Sequence, residues 1–124
     1  MPIDLKYDSE AKVLIARLSG TVSLEEMTGA SKEIVTSNSI PSNTNAIWDV
    51  SEMDFNNITY EFQQSLVEFR KKYDEQRGGA KIAILSDYTL AEPLVKMYTI
   101  LSKDLSQTTQ MFTSREAAIE WLQA

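Results

Sequence analysis

Cysteine and histidine are both missing from this chain. Without cysteine there is no disulfide framework and no thiolate nucleophile. Without either residue a zinc site of the usual Cys/His kind is impossible. No imidazole can serve as a general base, so a Ser-His-Asp or Cys-His mechanism cannot operate. Long apolar runs are missing too: none approaches the ~20 residues that span a bilayer, so no membrane insertion is expected. The opening Met-Pro-Ile-Asp-Leu-Lys has no basic region followed by an apolar stretch. No secretory signal is therefore expected, and a cytoplasmic location is the default. Basic residues are the minority charge, 12 against 18 acidic, for a net charge of −6. Nucleic-acid binders need basic grooves to neutralise phosphate, so no nucleic acid is expected as a partner. The densest basic stretch, Arg70-Lys71-Lys72, is flanked by Glu68, Asp74 and Glu75 and reads as a solvated helix face.

What is present is ordinary soluble material. At 124 residues and 43% hydrophobic, residues 1–124 are expected to form a single domain with a real core. Ile3 to Tyr7 alternates apolar and polar residues, as a half-buried strand does. After a turn at Asp8-Ser9-Glu10-Ala11, Val13, Ile15 and Leu18 continue as a second strand ended by Gly20, and the two form an antiparallel hairpin. Ser23-Leu24-Glu25-Glu26 is a capping box, with Leu24, Met27, Ser31, Ile34 and Val35 at helical spacing behind it. Asn38 to Asn45 is a loop, and Ala46 to Val50 a buried strand.

A second helix carries Ile58, Phe62, Leu66, Phe69 and Tyr73 and stops at Gly78-Gly79. Lys81 to Leu85 is the next strand, with Ser86-Asp87 at its end. Thr89-Leu90-Ala91-Glu92 is a second capping-box candidate with Pro93 in the first turn. The buried stripe expected behind it is Leu90, Leu94, Met97, Leu101 and Leu105, widened by Val95, Tyr98 and Ile100. Gln107 to Phe112 is the last strand candidate. Thr113-Ser114-Arg115-Glu116 opens a final helix with Ala117, Ala118, Trp121 and Leu122 on its apolar face. The order ββαβαβαβα gives an α/β fold: a mostly parallel sheet, because parallel neighbours need helical crossovers, with an antiparallel N-terminal hairpin.

Three stretches in this order carry a resemblance. They are Leu18 to Glu26 (strand, glycine turn, capped helix), Ala46 to Tyr60 (strand, polar turn, helix start), and Met111 to Leu122 (strand, turn, Ala-rich helix closing on Trp-Leu). Together they resemble the STAS-like or SpoIIAA-like family, which includes anti-sigma-factor antagonists and an uncharacterised bacterial branch. The resemblance implies a regulatory, protein-interacting domain. In the phosphorylated antagonists a serine in an Asp-Ser-Ser-Gly turn accepts phosphate at a helix start, where backbone N–H groups favour an anion. With the strands registered on Asp49, Asn57 falls at that aspartate, Ile58 at the first serine, Thr59 at the acceptor and Tyr60 at the glycine.

The residues themselves leave alternatives open. Thr59 is a candidate phosphoacceptor and equally a helix cap, a role for which Asn56 and Asn57 compete. Asp49 and Asp87 end adjacent strands, where a ligand could be met or where they serve the strand ends alone. Trp48, Val95, Met97, Tyr98, Ile100, Met111 and Trp121 are candidates for an apolar pocket or an interface, with ordinary core packing as the alternative for both tryptophans. No catalytic set, metal site or cofactor is indicated. The expectation is a non-enzymatic interaction domain that binds a protein partner or itself, a homodimer included. A small apolar or lipid-like ligand is the alternative.

Overall fold

The three inner strands of the sheet bury side chains on two faces, and this decides how the helices are distributed. The computed structural model describes residues 2–87 and 91–124. Its strands are β1 (Ile3–Asp8), β2 (Val13–Thr21), β3 (Asn45–Asp54), β4 (Lys81–Leu85) and β5 (Thr108–Phe112). They form one sheet in sequential order, with β1–β2 antiparallel and every later pairing parallel. The helices are α1 (Leu24–Thr36), α2 (Tyr60–Lys71), α3 (Asp74–Arg77), α4 (Ala91–Leu101) and α5 (Arg115–Gln123). The α/β class, the mostly parallel sheet and the antiparallel hairpin are as the sequence predicts.

One face of the sheet presents Leu14, Ala16, Leu18, Ala46, Trp48, Val50 and Ile82 to α1, α2 and α4, with Met27, Ala30, Ile34 and Leu66 completing that core. The other face presents Val13, Ile47, Ala83 and Leu85 to α5, which contributes Ala118 and Leu122. Asn45 and Lys81 fasten α5 at its C-terminal end, where carbonyls lack helical partners. Asn45 Nδ2 donates to Leu122 O at 2.8 Å, and Lys81 Nζ donates to Trp121 O at 3.1 Å. The Ser23 capping box forms reciprocally: Glu26 N–H donates to Ser23 Oγ at 3.1 Å and Ser23 N–H to Glu26 Oε1 at 2.9 Å.

Four boundaries differ from the sequence reading, each for a physical reason. β2 does not stop at Gly20 but runs to Thr21, because Gly20 takes a positive φ of 65° and stays paired with Met53. β3 does not stop at Val50. It continues to Asp54 through a β-bulge, where Arg17 pairs with Asp49 and Ser19 with Glu52. The second helix ends at Lys71, and Tyr73 instead opens the separate turn α3, closed by Gly78 in the left-handed region. The last helix is capped by Ser114, whose Oγ accepts from Ala117 N–H, and not by Thr113.

The α4 register also shifts. Ala91, Leu94, Val95 and Tyr98 turn inward, whereas Met97 is 37% and Ile100 65% exposed. Leu105 is buried but lies beyond the helix. The expected cap at Thr89 and the stripe position Leu90 lie outside the described residues.

Candidate functional site

The β3–α2 junction is stitched together by its own polar groups. Asp49 lies inside β3, not at its end. Its Oδ1 accepts from Ser51 N–H at 3.1 Å, a donor released by the bulge, and its Oδ2 sits 4.0 Å from Arg17 Nε. Asn56 N–H donates to Asp54 Oδ1 at 2.8 Å, turning the chain after the strand. Asn57 Nδ2 reaches across to Val22 O at 2.8 Å, tying this turn to the start of α1. Thr59 is the N-cap of α2, its Oγ1 accepting from Phe62 N–H at 3.1 Å. Asp87 is exposed and lies beyond β4, whereas Asp49 pairs with Leu85 inside the sheet. Among the described residues no group of three or more acidic side chains could hold a metal ion.

A second place collects more of the candidates. Between α1, α2, α4 and the sheet lies a cavity of about 90 Å³. Trp48 and Ile84 contribute from the strands, Leu66 from α2, and Val95 and Tyr98 from α4. Its wall is almost entirely apolar, with two polar exceptions, both from α2. Gln63 is buried; its Nε2 donates to Leu94 O at 2.9 Å, while its Oε1 has no partner among the described residues. Arg70 lays its guanidinium 4.9 Å from the centroid of the Trp48 ring, donates from Nε to Ser31 Oγ at 3.0 Å, and donates from Nη1 to Tyr98 Oη.

Arg70 and Trp48 also border a smaller cavity, of about 20 Å³, completed by Ser31, Tyr73, Arg77 and Gln107 among others. Arg77 is 5% exposed. Its Nη1 donates to Ser42 O at 2.8 Å, and its buried Nη2 has no partner among the described residues. Burial, with the neighbouring Arg70 charge adding to it and Tyr98 opposing, pushes the Arg77 guanidinium down to about 10. None of the ion pairs among the described residues involves either arginine.

The remaining candidates are scattered. Met97 and Ile100 face outward on α4. Met111 lies in a surface groove between α4 and β5, beside Val95, Ile100 and Phe112. Trp121 is on the opposite face of the sheet, its ring 5.4 Å from that of Phe112. It cannot share a pocket with Tyr98, because the sheet stands between them. Of the seven apolar candidates, Trp48, Val95 and Tyr98 meet at the large cavity.

Comparison with solved structures places this architecture. Over 97% of this chain and 91% of the other, it superposes on an uncharacterised protein of the DUF3478 family from Shewanella loihica PV-4 with a SpoIIAA-like fold, at a TM-score of 0.63 and 16% identity. The fold is SpoIIAA-like. The anti-sigma factor antagonist SpoIIAA in its unphosphorylated form matches as well, over 98% of each chain, at a TM-score of 0.54 and 13% identity. No family model and no curated protein matches the chain.

On this SpoIIAA-like frame the sequence reading missed Gln63, Arg70 and Arg77. A signal for two of them was available. Gln63, Leu66 and Arg70 are spaced by three and four, so they share one helix face. The inward face of α2 is this mixed one together with Val67, and of the expected stripe Phe62 and Leu66 share it. Phe69 instead lies in an outer groove against Leu24 and Thr28 of α1. Arg77 had no such signal: a lone arginine before Gly78-Gly79 reads as a solvated helix end.

Proposed function

We propose that the protein is a non-enzymatic regulatory domain that works by binding a small, mainly apolar molecule between α4 and the sheet. The observation that carries this reading is the cavity of about 90 Å³ with apolar walls and an acceptor, Gln63 Oε1, that has no partner among the described residues. An apolar cavity of about 150 Å³ takes benzene, so one of about 90 Å³ suits a smaller hydrocarbon, and a buried acceptor without a donor is costly until something supplies one. The preferred ligand is therefore a compact hydrocarbon carrying one hydroxyl. Helix α4 supplies both the inner wall, through Leu94, Val95 and Tyr98, and an outer apolar face, through Met97 and Ile100. Filling the cavity would thus be felt at the surface that a partner meets.

The test is titration with propane- and butane-size hydrocarbons and the matching alcohols, followed by Trp48 fluorescence and thermal shift. Saturable binding, tighter for the alcohol, is expected. Val95→Phe should fill the cavity and abolish binding, and Gln63→Met should erase the preference for the alcohol. Absence of saturable binding by any of these probes overturns the reading.

A second reading, association of two copies through the outer face of α4, is favoured by the exposure of Met97 and Ile100 beside the edge strand β5. Sedimentation velocity at rising concentration should then show a dimer that Ile100→Lys dissolves. A strict monomer at all concentrations removes this reading.

A further inference from the structure

The smaller cavity has a chemistry of its own. Two arginines border it, and no carboxylate pairs with either among the described residues. A buried cation is normally paired or neutralised. The remaining polar lining, Ser31, Tyr73 and Gln107, brings hydroxyl and amide groups and no acid. Arg70 is held in place from three directions, by Ser31 Oγ, by Tyr98 Oη and by the Trp48 ring. Arg77 is anchored at Nη1 by Ser42 O, which leaves Nη2 as a fixed, buried donor. A volume of about 20 Å³ is room for one particle of roughly the size of a water molecule or a halide ion.

We infer that this cavity is a binding site for a single small monovalent anion of halide size, bridging Arg70 and Arg77. The anion supplies the partner that Arg77 Nη2 lacks and balances two like charges that otherwise repel each other. Water could satisfy the donor but not the charge. The site is independent of the apolar ligand proposed above, although Arg70 and Trp48 form part of both walls. Its occupant would fasten together residues from α1, α2, α3 and β3, since Ser31, Arg70, Arg77 and Trp48 come one from each.

Trp48 makes the site readable. Its ring is buried, with 5% exposure, so quenchers in solvent reach it poorly, yet it borders the cavity. The experiment uses the full chain carrying Trp121→Phe, which leaves Trp48 as the sole indole. Iodide and bromide are titrated at constant ionic strength with sulfate as the balancing anion. Saturable quenching with a midpoint in the millimolar range is expected, together with a saturable chloride-dependent rise in melting temperature that the Arg77 variants lack. Arg77→Met and the charge-keeping Arg77→Lys should both abolish the saturable component. A crystal soaked in bromide should show an anomalous peak between the two guanidinium groups. Linear quenching only, equal halide effects in the Arg77 variants, or a soaked crystal with no such peak overturns the inference and means that water alone occupies the cavity.

Discussion

The Arg70 guanidinium lies over the Trp48 indole at 4.9 Å, joining the last turn of α2 to the middle of β3. The same group donates to Ser31 Oγ on α1 and to Tyr98 Oη on α4, so one side chain ties three helices to the sheet. Arg70→Met keeps the apolar stem and removes all three interactions. A loss of about 1–3 kcal/mol in urea unfolding is expected, with a changed Trp48 emission maximum. An unchanged stability would mean that the apolar stem alone accounts for the packing.

Arg77 should behave as a stability burden near neutral pH. Its guanidinium is pushed down to about 10 in the folded state, below its ordinary value. Between those two values the unfolded chain holds a proton that the native chain has released, so the Arg77 contribution to stability rises with pH across that window. Below it, the buried charge costs on the order of 3 kcal/mol. Arg77→Met should therefore stabilise the protein in low-halide buffer at pH 7 by about 1–2 kcal/mol, after the loss of the Ser42 hydrogen bond. The difference between the two proteins should shrink above pH 10. A destabilised Arg77→Met in low-halide buffer would contradict this account.

The capping residues give a sharp local comparison. Ser114, not Thr113, caps α5, and Ser23 caps α1. Ser114→Ala and Ser23→Ala should each cost about 1 kcal/mol. Thr113→Ala, at an exposed position, should stay within about 0.5 kcal/mol of wild type. Denaturant midpoints of the three variants decide the matter.

Asp74 should matter more than a surface carboxylate ordinarily does. Its carboxylate accepts from Ser106 N–H at 2.9 Å and from Ser106 Oγ at 2.9 Å, fixing α3 to the segment that enters β5. Asp74→Ala should cost about 1–2 kcal/mol and raise amide exchange at Ser106 by at least several-fold. Asp74→Asn should recover part of the loss, because its side-chain oxygen can still accept.

The element order was readable because hydrophobic period and turn residues agree along nearly the whole chain. Ala46 to Val50 looks like a buried strand and is one; Ser23 with Glu26 looks like a capping box and forms one. Phase was harder to read than type. The apolar residues of α2 and α4 outnumber what one face needs, so period alone cannot choose between Leu66 and Phe69, or between Met97 and Tyr98. Packing chooses, and it turns Gln63 and Tyr98 inward while leaving Met97 out. The site itself was half legible. Trp48, Val95 and Tyr98 could be named as pocket residues from their size and polarity. The polar groups that give the cavities their character could not, because a buried glutamine or arginine looks in sequence like a surface one.

The bulge between Arg17 and Ser19 on one strand and Asp49 and Glu52 on the other amounts to a single surplus residue in β3. In a strand of strict alternation Val50 would be followed inward by Glu52 and Asp54, and the floor of the large cavity would be acidic. Because two residues of β3 stand opposite one of β2, Met53 and Phe55 take the inward places instead. Removing Ser51 should therefore straighten the strand, free the Asp49 carboxylate from its backbone partner and keep the same inward residues. A change of one in the count of β3 is thus a change the cavity can survive there and nowhere between Ala46 and Val50.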